Sequence, residues 1–341
     1  MKKQIGIIGS TGYTGVVLTR LLLFHPEIKI TLLTSEQHAG KYYYEIYPSF
    51  YDFLKLKCKK LSIAEAAELC DVLFFATPNG FSREFLPKII NRNPNLKIID
   101  LSADFRLKRY LTVRNKKIKI AYGLPEIHRN EIKNSAVIAN PGCYPTSILL
   151  GLAPVIKSKM VNLNSLIADS KSGTSGAGRS LKQELHFSEV NESFNAYKLA
   201  GTHRHIPEIE NELSKLASSK INIVFSPHLL PINRGIFSTI YAELKNKKFT
   251  QKDIFMIYKN YYKNESFIKV LPKTIYPEIK HVKLTNYCYI RPLIDKRTNK
   301  LIVLSVIDNM VKGAAGQAIQ NMNLILSLDE RLGLDSPAHI P

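Results

Sequence analysis

In the first half of the chain, short apolar runs alternate with stretches whose apolar residues recur at helical spacing. "QIGIIG" is followed by "GVVLTRLLLFH", and then come "IKITLLT", "AEAAELC", "DVLFFAT", "SREFLPKIIN", "LKIIDLS" and "SAVIAN". Alternation of this kind predicts a parallel sheet with helices on both faces. The second half has longer runs rich in β-branched and aromatic residues: "SLIADSKSG", "INIVFSPHLL", "GIFSTIYAEL", "LTNYCYIRPL" and "KLIVLSVID". These predict strands of a mixed or antiparallel sheet. A helical stretch over 249–264 interrupts them. The last helix is expected over 312–328, where Ala, Leu and Ile fall at helical spacing.

Composition narrows the reading without redirecting it. With 341 residues, 45% hydrophobic and 22% charged, the chain is long enough for two ordinary globular domains. "SILLGLAPVI" is a prominent, nearly apolar run and is too short to span a bilayer. The apolar run after the N-terminal lysines holds about five residues, against the roughly 7–15 of a secretory signal. It reads as a first strand, and the protein is expected in the cytoplasm without a membrane partner. The net charge of +20 raises the question of nucleic acid. The lysines are scattered, however, and no arginine stripe or zinc-finger spacing accompanies them, so no nucleic-acid partner is expected. Four cysteines, at 58, 70, 143 and 288, form no C-x-x-C pair and suggest neither zinc nor a disulfide framework.

"GIIGSTGYTGVVLTRLL" joins the first strand to a helix, with Gly9, Gly12 and Gly15 spaced by three. Glycines there let the backbone approach a pyrophosphate, and the amides at the helix start bind its charge. Ser10, Thr11, Tyr13 and Thr14 are expected to add amides and hydroxyls. The second strand ends on Thr34 and Ser35 rather than on an Asp or Glu, which favours NADP(H) over NAD. Glu36 works against that preference and Lys41 for it. The fold class is therefore α/β. A Rossmann-type dinucleotide-binding domain is expected over 1–145, and an α+β domain with a mixed sheet over 146–311.

"NPGCYPT" sits at the junction. Pro145, Thr146 and Ser147 suit a helix start, which places Cys143 at or just before the helix N-terminus. The partial positive charge there stabilises a thiolate, and the same amides suit a tetrahedral oxyanion. The plain alternative is a small thiol packed at a turn. A thiolate nucleophile needs a base, and "GTHRHIPEI" offers His203 and His205. In an extended segment, residues two apart face one way; which of the two moves the proton stays open. "SKSGTSGAGRS" follows a strand, and its Ser172, Gly173 and Arg179, with Lys171, suit an anion or a nicotinamide ribose. Arg106, in "LSADFR", has the fork to hold a phosphate or carboxylate, or to pair with Asp100 or Asp104.

Taken in order, "GSTGYTG", "SADFRL", "YGLPE", "NPGCYPT", "SGTSGAGR", "HRHIPEI", "PHLLPINRGI" and "KGAAGQAIQNMN" resemble the N-acetyl-gamma-glutamyl-phosphate reductases of arginine biosynthesis, relatives of aspartate-semialdehyde dehydrogenase. The resemblance runs nearly end to end. It implies that Cys143 attacks an acyl phosphate and forms a thioester, that NADPH reduces it, and that His203 or His205 carries protons. By the same analogy Arg106, Arg179 and Asn140 contact the substrate, Pro78 lies on the cofactor, and Asn309 or Asn321 meets the nicotinamide amide. The resemblance further implies that the C-terminal helix at 312–341 completes the first domain, and that 146–311 is the catalytic and oligomerisation domain of a homodimer or homotetramer. "TPNG" at 77–80 departs from an expected "LPHG"-like turn, so Asn79 stands where a histidine would. Two rival readings are an aminoadipate-type semialdehyde reductase acting on a carrier-bound substrate and a non-catalytic dinucleotide-binding regulator.

Overall fold

The computed structural model describes residues 1–339. The chain divides into two compact units. The first is Met1–Pro141 with Ala314–Asp335, and the second is Gly142–Gly313 with the last described residues from Ser336. The main chain thus passes from one unit to the other at the Pro141–Gly142 bond.

The first unit is built on seven strands: β1 (Lys3–Ile8), β2 (Ile28–Leu33), β3 (Val72–Phe75), β4 (Lys97–Asp100), β5 (Tyr110–Val113), β6 (Lys116–Tyr122) and β7 (Val137–Ala139). Their order is β2-β1-β3-β4-β7-β6-β5, parallel throughout except for the β5–β6 hairpin at the edge. β3 is buried at every position, as expected of a strand covered on both faces. The helices are α1 (Tyr13–Leu23), α2 (Tyr43–Ile46), α3 (Ile63–Glu68), α4 (Phe81–Arg92) and α5 (Pro125–Lys133). Ile8, Leu73, Phe75, Leu86, Ile89, Ile98 and Phe105 fill the core on the α3–α4 side. The chain runs from β1 out to β2 and then back past β1 to β3. Sheets of this type bind ligands where the order reverses, beyond the carboxyl ends of the strands, and the glycine turn after β1 lies there.

The second unit contains α6 (Cys143–Lys157), β8 (Ile167–Gly173), α7 (Phe187–Val190), β9 (Asn195–Ala196), α8 (Ile206–Ala217), β10 (Val224–Leu230), β11 (Ile236–Glu243), α9 (Gln251–Tyr261), β12 (Ile268–Val270), β13 (Cys288–Asp295) and β14 (Lys300–Ile307). The strands form one mixed sheet in the order β12-β13-β14-β11-β8-β10-β9. Helix α6 is buried from Tyr144 to Ile156, with β11 and β14 on one side and α8 and α9 on another. A helix apolar all round is a core helix. Pro154 lies inside it and has no N–H to offer the Leu150 carbonyl. The Tyr262 hydroxyl donates to that carbonyl instead at 2.5 Å, and Tyr258 donates to Gly151 O at 2.6 Å. A Cβ on Gly151 would lie 2.5 Å from Ile240 Cδ1, so the glycine lets β11 side chains pack close to α6.

α10 (Gly316–Ile325) returns the chain to the first unit, where it packs on α1, α5 and β4. The expected helix began at Lys312. Residues Val311–Ala315 instead form a π-helical turn, and the regular helix starts after it. Among the described residues no helix is long and apolar enough to cross a membrane.

Candidate active site

The glycine turn of the first unit is shaped by close approaches. Gly9 has φ +81°, and a Cβ on it would lie 2.6 Å from the Ala76 carbonyl; one on Gly15 would lie 2.4 Å from Gly9 O. Both positions therefore exclude side chains. Gly12 is the N-cap of α1 and no side chain caps it, so backbone amides of the helix start are presented there. Tyr13 is exposed, and Thr11 and Thr14 are half-buried.

Ser10 departs from expectation. Its N–H and its hydroxyl both donate to Thr34 O, at 2.9 and 3.0 Å, and its side chain is fully buried. Thr11 Oγ1 and Ser35 Oγ lie 2.8 Å apart, and Gly9 N–H donates to Thr34 Oγ1 at 3.1 Å. The hydroxyls of Ser10 and Thr11 are thus turned toward the end of β2, because that strand end needs polar partners of its own. The cradle that remains is made of peptide groups, and it fits a dinucleotide. No carboxylate ends β2, where Thr34 and Ser35 are buried and Glu36 is exposed.

The 77–80 turn carries exposed Pro78. Asn79 accepts the Ala103 N–H at 3.0 Å, and Asp104 accepts the N–H groups of Gly80 and Arg83. Asn79 therefore docks the turn onto "SADFRL", a task for an amide oxygen that does not need a titrating ring. Arg106 serves the same region. Its Nε donates to Asn140 O and a terminal nitrogen donates to Leu101 O, both at 2.8 Å. Asn140, expected on the substrate, is fully buried with each polar atom engaged within the first unit. Its N–H donates to Asp100 O, its Nδ2 donates to Ala314 O, and its Oδ1 accepts from Asn321. The structure gives Asn140 the task of fixing the chain just before "PGC".

In the second unit Cys143 is the first residue of α6, half-buried, behind an N-cap glycine that no side chain caps. The Gly142 N–H donates to Glu208 Oε1 at 2.8 Å. A Cβ on Gly313 would lie 2.8 Å from Cys143 Cβ, so the π-helical turn presses bare backbone against the base of the Cys143 side chain. None of the four cysteines forms a disulfide.

His203 and His205 come together, though by a different route from the extended segment expected. The stretch is a turn, and His205 has helical angles (φ −84°, ψ −11°) as the N-cap of α8. The His205 N–H donates to His203 Nδ1 at 3.1 Å, and the ring centroids are 4.9 Å apart. Both rings are buried while Arg204 between them is exposed. Burial, with Lys198 and Arg204 nearby, pushes the His203 pKa down to about 4. A neutral ring accepting at Nδ1 carries its proton on Nε2.

Tyr144, next to Cys143, links the two features. Its ring meets His203 edge-on at 5.7 Å, His205 at 6.1 Å and Phe225 at 5.1 Å. Tyr197 donates its hydroxyl to Tyr144 Oη at 3.1 Å. Burial pushes both phenols up, Tyr197 to about 12 and Tyr144 further, so both stay protonated. Tyr144, Tyr197 and Glu208 were not singled out in the sequence. Glu208 lies three residues after the N-cap His205, the usual place for a carboxylate that caps its own helix. That spacing was the available signal, but the carboxylate reaches another helix.

The "SGTSG" loop is braced by Asn309, which accepts the Gly235 N–H at 2.7 Å and donates to Ser175 Oγ at 2.9 Å. Ser172 and Gly173 are buried at the end of β8, whereas Arg179 is exposed. These residues and Cys143 share the second unit. The glycine turn, Ser35, Pro78, Arg106 and Asn140 belong to the first.

Two family models cover most of the chain. One is described as semialdehyde dehydrogenase, NAD binding domain, over residues 4–135; the other is semialdehyde dehydrogenase, dimerisation domain, over 143–309. The N-acetyl-gamma-glutamyl-phosphate reductase of Pelotomaculum thermopropionicum is 45% identical, with both chains covered completely. That of Alkaliphilus metalliredigens is 47% identical over 97% of this chain and 98% of its own. Among solved structures, aspartate semialdehyde dehydrogenase II of Vibrio cholerae superposes with a TM-score of 0.75 at 16% identity, covering 96% of this chain and 99% of that one. The aspartate semialdehyde dehydrogenase of Candida albicans, solved with NADP, gives 0.73 at 16% identity, covering 97% and 100%. At such identity these structures speak for the fold alone.

Proposed function

The chain belongs to the N-acetyl-gamma-glutamyl-phosphate reductases of the semialdehyde dehydrogenase family, and from that premise we propose how its own residues carry the reaction. It reduces N-acetyl-L-glutamyl 5-phosphate to N-acetyl-L-glutamate 5-semialdehyde and phosphate, in arginine biosynthesis. The cofactor is NADP(H), held by the peptide groups of residues 9–15, with Ser35 and Lys41 at the ribose phosphate; when bound it supplies the hydride.

Cys143 gives up its thiol proton to His205, and the thiolate attacks the acyl carbon. The C–S bond forms as the C–O bond to phosphate breaks, and His205 returns the proton to the departing phosphate. The amides at the α6 start would hold the tetrahedral oxyanion once the thioester carbon has been reduced, and the Cys143 sulfur would take back the electron pair as that intermediate collapses. Solvent then reprotonates the thiolate.

One observation carries the division between the histidines: the His205 N–H occupies His203 Nδ1. His203 is thereby held neutral with its proton on Nε2, which makes it the donor for substrate, and His205 is the ring left to move protons. Arg179 is the exposed cation suited to the substrate anion, while Arg106 and Asn140 fix the turn before Cys143. Ser172, Gly173 and Asn309 shape the loop that faces the nicotinamide ribose.

The oligomer is a homodimer or homotetramer. Along β11 and β14, Phe237, Tyr241, Ile302 and Leu304 form a half-exposed apolar row opposite the face that α6 covers. An apolar sheet face of that kind is suited to self-association.

The test runs the reaction backwards. N-acetylglutamate 5-semialdehyde, NADP⁺ and phosphate should yield NADPH, and the aminoadipate semialdehyde should react far more slowly. Cys143→Ser should abolish NADPH formation; full activity in that variant would overturn the assignment.

A further inference from the structure

Residues 41–53, "KYYYEIYPSFYDF", hold a dense run of aromatic residues, of which Tyr43, Tyr47 and Phe50 fall at helical spacing. Two of its phenols reach the glycine turn. The Tyr43 hydroxyl donates to Ser10 O at 2.9 Å, and the Tyr47 hydroxyl donates to Thr11 O at 2.6 Å. Tyr43 is fully buried and Tyr47 half-buried. Their rings pack on each other at 5.5 Å and on Phe50 at 5.0 and 6.5 Å. The Tyr43 N–H is tied to Leu56 O at 2.8 Å, so the phenols rest on a fixed support.

A trans peptide points its N–H opposite to its C=O. Two successive carbonyls drawn to the phenols therefore set the planes of the 10–11 and 11–12 peptides, and with them the direction of the amides that lead into α1. The other flank of the turn is held by Thr34 and Ser35, as described. The turn is gripped from both sides by hydroxyl groups that lie outside it in sequence.

We propose that Tyr43 and Tyr47 are positioning residues for the cofactor: they pre-organise the glycine turn for a dinucleotide pyrophosphate, so that affinity for NADP(H) depends on their two hydroxyls. The inference rests on the reading of that turn as the cofactor cradle. Pre-organised groups bind more tightly because their ordering cost is met before the ligand arrives. Without the phenols, two carbonyls in a crowded turn must find new partners, and the turn relaxes.

Phenylalanine is the right substitution, since it keeps the ring packing and removes one oxygen. NADP⁺ is titrated calorimetrically into the whole protein and into Tyr43→Phe, Tyr47→Phe and the double variant. The dissociation constant should rise about 10-fold for Tyr43→Phe and about 3-fold for Tyr47→Phe, the scale of one lost hydrogen bond each, and further in the double variant. The KM for NADPH should rise in step, kcat at saturating NADPH should hold within about twofold, and iodoacetamide should alkylate Cys143 at the unmodified rate. A double variant that melts at a lower temperature yet binds NADP⁺ as tightly as the parent would overturn the inference, because the phenols would then be structural only. If Tyr43→Phe does not fold, Tyr47→Phe carries the test at its smaller amplitude, and an unchanged constant there has the same force. Failure of the unmodified protein to bind NADP⁺ would overturn the cofactor reading itself, and the inference with it.

Discussion

The glycine turn of the first unit and the cysteine site of the second solve opposite problems. The turn has to present bare peptide groups, so its chemistry lies in what is absent: Cβ atoms at Gly9 and Gly15 would meet backbone at 2.6 and 2.4 Å. Its order comes from hydroxyls outside it, those of Thr34, Ser35, Tyr43 and Tyr47. The cysteine site depends on side chains that nothing else replaces: a thiol on the first turn of a buried helix and two packed imidazoles, with a phenol between them. A backbone site is legible as spacing between small residues and is tuned by distant partners. A side-chain site is legible as rare residues and is tuned by their immediate neighbours.

The sharpest way to break this contrast is to injure each site alone. Cys143→Ser should lower turnover by about 10⁴-fold, the scale of losing a nucleophile, while NADP⁺ binds with unchanged affinity. Gly15→Ala should do the reverse. Its methyl group forces the Gly9–Ser10 backbone to move, and NADP⁺ affinity should fall at least about 10²-fold by calorimetry, while Cys143 is alkylated at its usual rate. If either change moves both readouts, the two sites are not separable in the way their construction implies.

Within the cysteine site the two histidines should differ in kind. His205→Asn should cost about 10²–10³-fold in kcat, as expected for a lost proton carrier. His203→Asn should chiefly raise KM, because the ring offers a hydrogen-bond donor rather than a base. Steady-state kinetics separates the two, and equal losses in kcat would erase the distinction. A smaller effect is expected from Gly313→Ala. The added methyl meets Cys143 Cβ at 2.8 Å, so either the start of α6 or the π-helical turn must shift. About a 10-fold drop in kcat with unchanged NADP⁺ affinity should follow.

The contrast also accounts for what could be read in advance. The α/β fold class and the mixed second sheet were legible because β1, β3, β8, β11 and β14 are long or strongly apolar. The β5–β6 hairpin was not, because its turn is Arg114–Asn115, with φ +47° and +62°, rather than an Asn-Gly pair. The π-helical turn before α10 was hidden because Ala and Gly at helical spacing do not reveal an extra residue per turn. Cys143, His203 and His205 stood out as residue types, although the histidine pair forms by a turn and not by strand alternation. Tyr43, Tyr47 and Glu208 were illegible as partners, because each acts on a segment more than thirty residues away or on another helix. Ser10 and Asn140 were over-read: polar atoms near a site were assumed to face it, whereas buried polar atoms first need partners of their own.

The smallest effect expected concerns stability rather than turnover. The His203 pKa is held at about 4 in the folded protein, mainly by burial, against about 6.5 in an unfolded chain. The unfolded chain therefore takes up the proton first as pH falls. Stability from this group is complete above pH 6.5 and is lost progressively as the pH drops toward 4. His25 adds in the same sense, since burial also lowers its pKa. For His203 the loss amounts to at most about 3 kcal/mol at the acid end. Urea midpoints at pH 7 and pH 5 should differ more for the parent protein than for His203→Asn, which has no proton to take up. The glycine-turn variant Tyr47→Phe should keep the parent's pH dependence, since it removes neither histidine. If His203→Asn keeps the full acid loss, the ring is already solvated in the native state. The neutral, Nε2-protonated donor assigned to it would then have no basis.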